Sequence, residues 1–241
     1  MISSSKFSLG ERRQVLADWC SCLPGLAPAP DDCVSKRYGP LLIGIALVYG
    51  TRYTTYRPTF FVHNLIKPFP AITLTLWHHA PYSRELGTER EVSPSSHHAC
   101  HVNNAKYFSN QFPELLASAL SFSDLVNVYL RSITQFNPCS RTVDIRNQLQ
   151  DILLISSWFN CQDYKRQVVL DLDGIRRELS WGADLDTWVK EVSALSESEE
   201  QMRNTVNREI EKHRLGKVPE FPIQGVGMPI RFISAWKLCW S

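Results

Sequence analysis

The pattern of apolar and polar positions is most informative between residues 38 and 79. Residues 41–49 are almost continuously apolar, with glycine and proline before them and glycine after them. Such a run is typical of a strand buried on both faces, and a buried helical segment is the alternative. Residues 52–65 are rich in aromatic and β-branched side chains, and residues 71–77 alternate between apolar and polar ones. Short connections between these three runs favour an antiparallel meander.

A second sheet element is predicted at residues 166–181. There Asp173-Gly174 lies between two alternating runs, which is a strong signal for a β-hairpin with a tight turn. The same stretch, Asp171-Leu-Asp173-Gly174, resembles the aspartate motif of phosphotransferases. That fold needs several parallel strands after the motif, whereas the remainder of this chain reads as mostly helical, so we favour the hairpin. Residues 230–240 alternate weakly and indicate a last strand.

Helical periodicity appears in five places. Ser8-x-x-Glu11 forms a capping-box pattern before a first helix. Apolar stripes at helical spacing follow in further segments, which are 125–136, 145–159, 185–195 and 196–214. Residues 81–104 have little periodicity and many polar residues, so we expect a long loop there. The predicted fold is α+β, an antiparallel sheet (meander 38–79 plus hairpin 166–181) packed with several helices. We expect one domain over 1–241, with a sheet-rich half (1–104) and a mostly helical half (105–241) as the alternative division.

Composition narrows the class of protein. The 241 residues are 44% hydrophobic and 21% charged, which is ordinary for a globular protein. The formal net charge of +2 indicates no concentrated basic character of the kind that nucleic-acid binders show. Seven cysteines at irregular spacing and no apolar stretch near Met1 predict reduced thiols in a cytoplasmic protein without a secretory signal. No segment has the roughly 20 apolar residues that a transmembrane helix needs, so we expect no membrane association.

Six of the seven histidines fall between residues 63 and 101. Imidazole nitrogen and thiolate sulfur are preferred zinc ligands, so a zinc site in this region is one interpretation, although the spacing matches no common zinc finger. Polar surface without any cofactor is the alternative. The candidate metal ligands are His78, His79, His97, His98, Cys100 and His101.

The second half of this cluster, Cys100-His101-Val-Asn-Asn104, also resembles the end of HNH-type nuclease sites. In that family a strand carries a general-base histidine and the following helix carries metal ligands, which implies a metal-dependent hydrolase or nuclease with His78 or His79 as the base. The acidic residue that usually accompanies the base is missing, because Trp77 and Ala80 flank the pair. No other catalytic motif of a common kind is evident.

The sequence therefore favours a non-catalytic interaction protein, a complex subunit or adaptor whose partner is another protein. Tyrosine, tryptophan and arginine dominate binding hot spots, and the chain has seven tryptophans and eight tyrosines. The candidate partner-binding residues are Trp236 and Trp240 in the terminal segment and Met202 and Arg214 on the last long helix. Nucleic-acid binding is a further alternative. It would use scattered basic pairs such as Arg12-Arg13 and Lys36-Arg37, with Tyr53, Tyr56 and Arg57 for stacking.

Overall fold

The computed structural model describes residues 6–72, 75–135, 142–161, 163, 165–166, 185–196 and 198–224. These residues form a five-stranded antiparallel sheet with α-helices packed on it, which confirms the predicted α+β class. The sheet strands are β1 (Ala27–Ala29), β2 (Cys33–Tyr38), β3 (Leu41–Tyr49), β4 (Tyr56–Asn64) and β5 (Leu76–His79). The helices are α1 (Leu9–Cys22), α2 (His97–Gln111), α3 (Pro113–Leu116), α4 (Phe122–Gln135), α5 (Thr142–Trp158), α6 (Leu185–Leu195) and α7 (Glu199–Lys212). A short parallel pair joins β6 (Leu120–Ser121) to β7 (Ile223–Gln224). Of the helices in this described part of the chain, none is long and apolar enough to cross a membrane.

The sheet is a meander in the order β1-β2-β3-β4-β5. The short connections predicted the order of its last three strands, whereas β1 and β2 were not predicted. The run 71–77 was predicted as a strand, but β5 begins only at Leu76. β3 lies in its centre, and its first residues Leu41, Leu42 and Ile43 are fully buried. Gly44 is required at the middle of β3, because a Cβ there would lie 2.0 Å from the carbonyl oxygen of Val34 on β2. The predicted buried strand is therefore confirmed, and its glycine allows two backbones to approach closely.

Pro58 lies within β4 opposite Leu47 of β3. The ladder between β4 and β5 begins one residue later, at Thr59 and His79, so the missing N–H of Pro58 falls beyond the end of β5. A proline is therefore tolerated at this position of β4.

The predicted helix starts are largely confirmed. The capping box is present at α1, where Ser8 Oγ accepts from Glu11 N at 3.2 Å and Ser8 N donates to the Glu11 carboxylate at 2.7 Å. The last long helix begins later than we expected, because Ser198 rather than Ser196 provides the cap, accepting from Gln201 N at 3.3 Å.

The predicted loop over residues 81–104 is wrong in its last part, because α2 begins at His97. A serine turn precedes the helix α2. In this turn Ser93 N donates to Ser96 Oγ at 3.0 Å and Ser96 N donates to Ser93 Oγ at 3.2 Å. The buried positions of this helix are partly polar, so the apolar pattern did not reveal them; they are His97, Cys100, Asn104, Ala105 and Phe108.

A buried polar contact joins the helical layer to the sheet. Asp151 on α5 accepts hydrogen bonds from Tyr129 Oη of α4 at 2.9 Å and from Asn64 Nδ2 of β4 at 3.2 Å. All three side chains are at most 2% exposed. Two predicted elements lie outside the described residues. They are the hairpin over 166–181, apart from its first residue, and the strand over 230–240.

Candidate functional site

The histidine-rich segment lies on α2, and the first turn of this helix packs beside α1. His97 is held from two sides. Its Nε2 lies 2.9 Å from Asp18 Oδ2 of α1, and its Nδ1 lies 2.8 Å from Tyr56 Oη at the start of β4. These three residues are far apart in the sequence, and the packing of α1 and α2 against the sheet brings them together.

The contacts continue beyond His97 in both directions. Trp19 Nε1 donates to Tyr56 Oη at 3.2 Å, and Gln14 Nε2 donates to Asp18 Oδ1 at 2.8 Å. Every polar group in this series is satisfied when Nε2 of His97 carries the proton and donates to Asp18 while Tyr56 donates to Nδ1. Tyr56 and Trp19 are fully buried and the side chain of Asp18 is 19% exposed, so the series runs from the core to the surface.

Burial controls the charge states in this series. Burial lowers the pKa of His97, and the hydrogen bond that His97 donates to Asp18 opposes this effect without reversing it. Burial raises the pKa of Asp18, but hydrogen bonds from Gln14 and His97 outweigh it, so the net pKa is lowered. Burial also raises the pKa of the Tyr56 hydroxyl. At neutral pH the pair is therefore a neutral imidazole beside a carboxylate, and Tyr56 is a protonated phenol.

Two further histidines lie on the same turns of α2. His98 is exposed, and the ring of His101 stacks on that of His97 with 4.6 Å between centroids. The Nδ1 of His101 lies 2.9 Å from the carbonyl oxygen of His97. Three of the predicted metal ligands are therefore close together, with Asp18 as a neighbour that the sequence analysis did not include.

The other three predicted metal ligands have different partners. His78 Nε2 lies 2.6 Å from Tyr107 Oη, and burial lowers the pKa of His78 to about 4. His79 Nδ1 lies 2.9 Å from Thr59 Oγ1. Cys100 is 3% exposed, and burial raises its pKa to about 11, so it is a neutral thiol at physiological pH.

The predicted partner-binding residues are placed as follows. Met202 is 3% exposed and packs into the core, because the apolar stripe of α7 faces inward. Arg214 is exposed just after α7, in a left-handed backbone conformation with φ of 55°. Trp236 and Trp240 lie outside the described residues.

Three exposed apolar side chains lie on α2 or on the segment before it. Tyr82 is 67% exposed, Leu86 53% and Val102 38%. The first two lie in or beside the turn that precedes α2, and Val102 lies on α2 itself. The sequence pattern did not indicate these residues, since isolated apolar residues among polar ones give no periodic signal.

The Asp18–His97–Tyr56 contact was also missed. Asp18 and His97 are 79 positions apart, and no local pattern connects an aspartate on one helix to a histidine on another.

Comparison with known proteins gives no relative for this chain. No protein-family model matches it. No curated protein and no solved structure matches it either. Its function must therefore be argued from its own residues.

Proposed function

We propose that this chain is a non-catalytic interaction protein of the cytoplasm, a subunit or adaptor that binds another protein. The observation that carries the proposal is the exposure of three apolar side chains on and beside α2, which are Tyr82, Leu86 and Val102. We call these residues the α2 surface. Surface tyrosine and large aliphatic side chains are the groups from which protein–protein contacts are commonly built.

The α2 surface is held rigidly, which lowers the entropy cost of binding. Ser83 and Thr88 exchange two backbone hydrogen bonds of 3.0 Å each, closing a tight turn around Leu86. The side chain of Asn104 on α2 then bonds the backbone of Glu89 twice, accepting from its N–H at 3.1 Å and donating to its carbonyl at 3.0 Å. The turn and the helix therefore present their apolar side chains from one fixed support.

The polar site beside α1 gives less support to catalysis. The hydroxyl that His97 contacts belongs to Tyr56, which is fully buried, so no substrate reaches it in this conformation. Both ring nitrogens of His97 already have protein partners. The arrangement is therefore better suited to joining α1, α2 and the sheet than to activating a nucleophile.

The thiols support the cytoplasmic part of the proposal. All five cysteines among the described residues are free; they are Cys20, Cys22, Cys33, Cys100 and Cys161. Free thiols at these positions suit a reducing compartment.

The proposal is tested with the double variant Tyr82→Ser/Leu86→Ser and the control Leu9→Ser. Leu9 is 62% exposed on α1, so its replacement removes a comparable apolar side chain from a different surface. We expect tagged wild-type and control proteins to co-purify the same protein from extracts of the source cells, and the purified pair to bind in titration calorimetry. Loss of about 1–2 kcal/mol or more of binding free energy in the double variant alone is the expected result. Equal loss in the control, or no loss in the double variant, contradicts the proposal.

Two alternatives have weaker support. A metal-dependent hydrolase or nuclease built on His78 or His79 lacks a supporting contact, since these side chains bond Tyr107 and Thr59. A nucleic-acid binder needs exposed cations, whereas Lys36 is fully buried. Hydrolysis assays and the salt dependence of nucleic-acid binding would distinguish these classes from protein binding.

The stacking residues considered for nucleic acid are also differently placed. Tyr56 is buried in the core, and Arg57 bonds Glu91 at 2.7 Å. Tyr53 is 44% exposed, but the guanidinium of Arg12 lies 4.8 Å from its ring centroid. Arg12 is itself ion-paired with Asp32. These contacts use charge and ring surface within the protein.

A further inference from the structure

We propose that Asp18, His97 and His98 form a binding site for a divalent transition-metal ion of the zinc class, between α1 and the first turn of α2. Each residue offers one ligand atom, and the three atoms lie within 4.8 Å of one another. Within the part of the chain that the structure describes, this is the one such group of three or more histidine, cysteine or acidic side chains. Two imidazoles and a carboxylate form a donor set that zinc accepts.

The distances require only a small adjustment. With metal–ligand bonds of about 2.0–2.2 Å, two ligands of a tetrahedral zinc ion lie about 3.4 Å apart. Asp18 Oδ2 and His97 Nε2 are already 2.9 Å apart, so a bound ion would separate them slightly. His98 is exposed, so its side chain is free of core packing and can approach by the remaining distance.

The surrounding hydrogen bonds suit metal ligands. When the ion takes Nε2 of His97, the proton of this neutral imidazole moves to Nδ1, which then donates to Tyr56 Oη, and the Tyr56 hydroxyl gives up its own donation to Nδ1. Trp19 fixes the position of that hydroxyl, and Gln14 holds the second oxygen of Asp18. Metal-bound histidines and carboxylates generally have such outer partners, which set the ring orientation.

Metal binding at this site replaces an existing contact. In the structure the Nε2–H of His97 donates to the carboxylate oxygen of Asp18 that the ion would use. A bound ion exchanges this one hydrogen bond for bonds to Asp18, His97 and His98.

Three protein ligands leave one coordination position for water or for a group of another molecule. His101 is adjacent, but its Nδ1 contacts the carbonyl oxygen of His97 and its ring stacks on the His97 ring. We therefore assign His101 to packing beside the site and not to the ligand set.

The test is titration calorimetry of untagged protein with Zn²⁺, together with the absorption spectrum of the Co²⁺ complex. The variants are Asp18→Asn and His98→Ala, and the control is His79→Ala, which removes a histidine that the sequence alone had also suggested. Asparagine retains an acceptor for His97, and His98 is exposed, so both variants should fold; circular dichroism checks this. We expect one equivalent of zinc in wild type and control, and at least tenfold weaker binding in each site variant.

Several results would overturn the proposal. They are the absence of zinc binding by the wild-type protein, unchanged binding in folded His98→Ala, or equal weakening in His79→Ala. Loss of binding in a His101→Ala variant with retention in His98→Ala would overturn the ligand assignment. If Asp18→Asn fails to fold, His98→Ala decides alone. None of these readouts depends on whether the α2 surface binds a protein.

Discussion

The buried carboxyl of Asp151 should make the protein less stable as pH rises through 6. Burial raises its pKa to about 6 from the ordinary aspartate value of 3.8, although hydrogen bonds from Thr75, Tyr129 and Asn64 oppose the effect. A folded-state pKa above the unfolded one means that the folded protein binds the proton more tightly. The stabilisation of the folded state by the protonated Asp151 is therefore complete below about pH 4. It is lost as pH rises through the folded-state pKa of about 6. A difference of about 2 in pKa corresponds to about 3 kcal/mol at most.

The assay is urea unfolding of wild type and Asp151→Asn at several pH values between 4 and 7.5. The asparagine side chain is uncharged at all of these pH values. Its NH2 group cannot accept a hydrogen bond, so it cannot replace both carboxylate oxygens as acceptors for Tyr129 and Asn64. The variant therefore differs from wild type by a constant hydrogen-bonding cost plus the pH-dependent term. We expect the free energy of unfolding of wild type minus that of the variant to fall by about 2–3 kcal/mol between pH 4 and 7.5. Taking the difference cancels the titration of all other groups.

A difference that stays constant over this range would refute the reasoning, because it would mean that the Asp151 carboxyl titrates alike in the folded and unfolded states. A difference that rises with pH would show that the hydrogen bonds outweigh burial. Tyr129→Phe provides a matched control. It removes one donor to the carboxylate, so the pKa of Asp151 should rise further and the pH-dependent loss should shift to higher pH.

Three further predictions follow from single contacts. Gly44→Ala should lower the free energy of unfolding by about 3 kcal/mol or more, since its Cβ would meet the Val34 carbonyl at 2.0 Å. The control Gly10→Ala in α1 meets nothing closer than 3.9 Å and should be neutral or stabilising. Thermal unfolding of both variants compares their stabilities. Ser8→Ala should cost about 1 kcal/mol through loss of the α1 cap, measured by chemical denaturation, and a loss below a few tenths would contradict a formed capping box. Cys100 should resist alkylation in the folded protein, because burial both shields its thiol and raises its pKa to about 11. The two half-buried cysteines of α1 should react, and peptide mass spectrometry measures both outcomes. Early labelling of Cys100 would contradict this placement.

Some of the fold was readable from local pattern. The apolar run 41–49 predicted β3 with its bounds, and the short links predicted the meander order, because strands joined by tight connections pair with their neighbours. The capping box before α1 was readable for the same reason, since both partners lie within one helical turn. The start of α2 was not readable, because its buried face includes His97 and Asn104, and a polar buried face gives no apolar periodicity.

The candidate sites show the same division. The sequence by itself determined that a cluster of histidines was present. It also determined the buried strand β3 and the capped helix α1, because their signals are local. Only the tertiary structure decided that Asp18 meets His97 and Tyr56, that His78 and His79 bond elsewhere, and that Tyr82 and Leu86 stay exposed. The physical reason is range. Secondary structure follows from neighbours a few positions apart, whereas a site built from two helices and a strand exists only after the long-range packing of these elements fixes their separations.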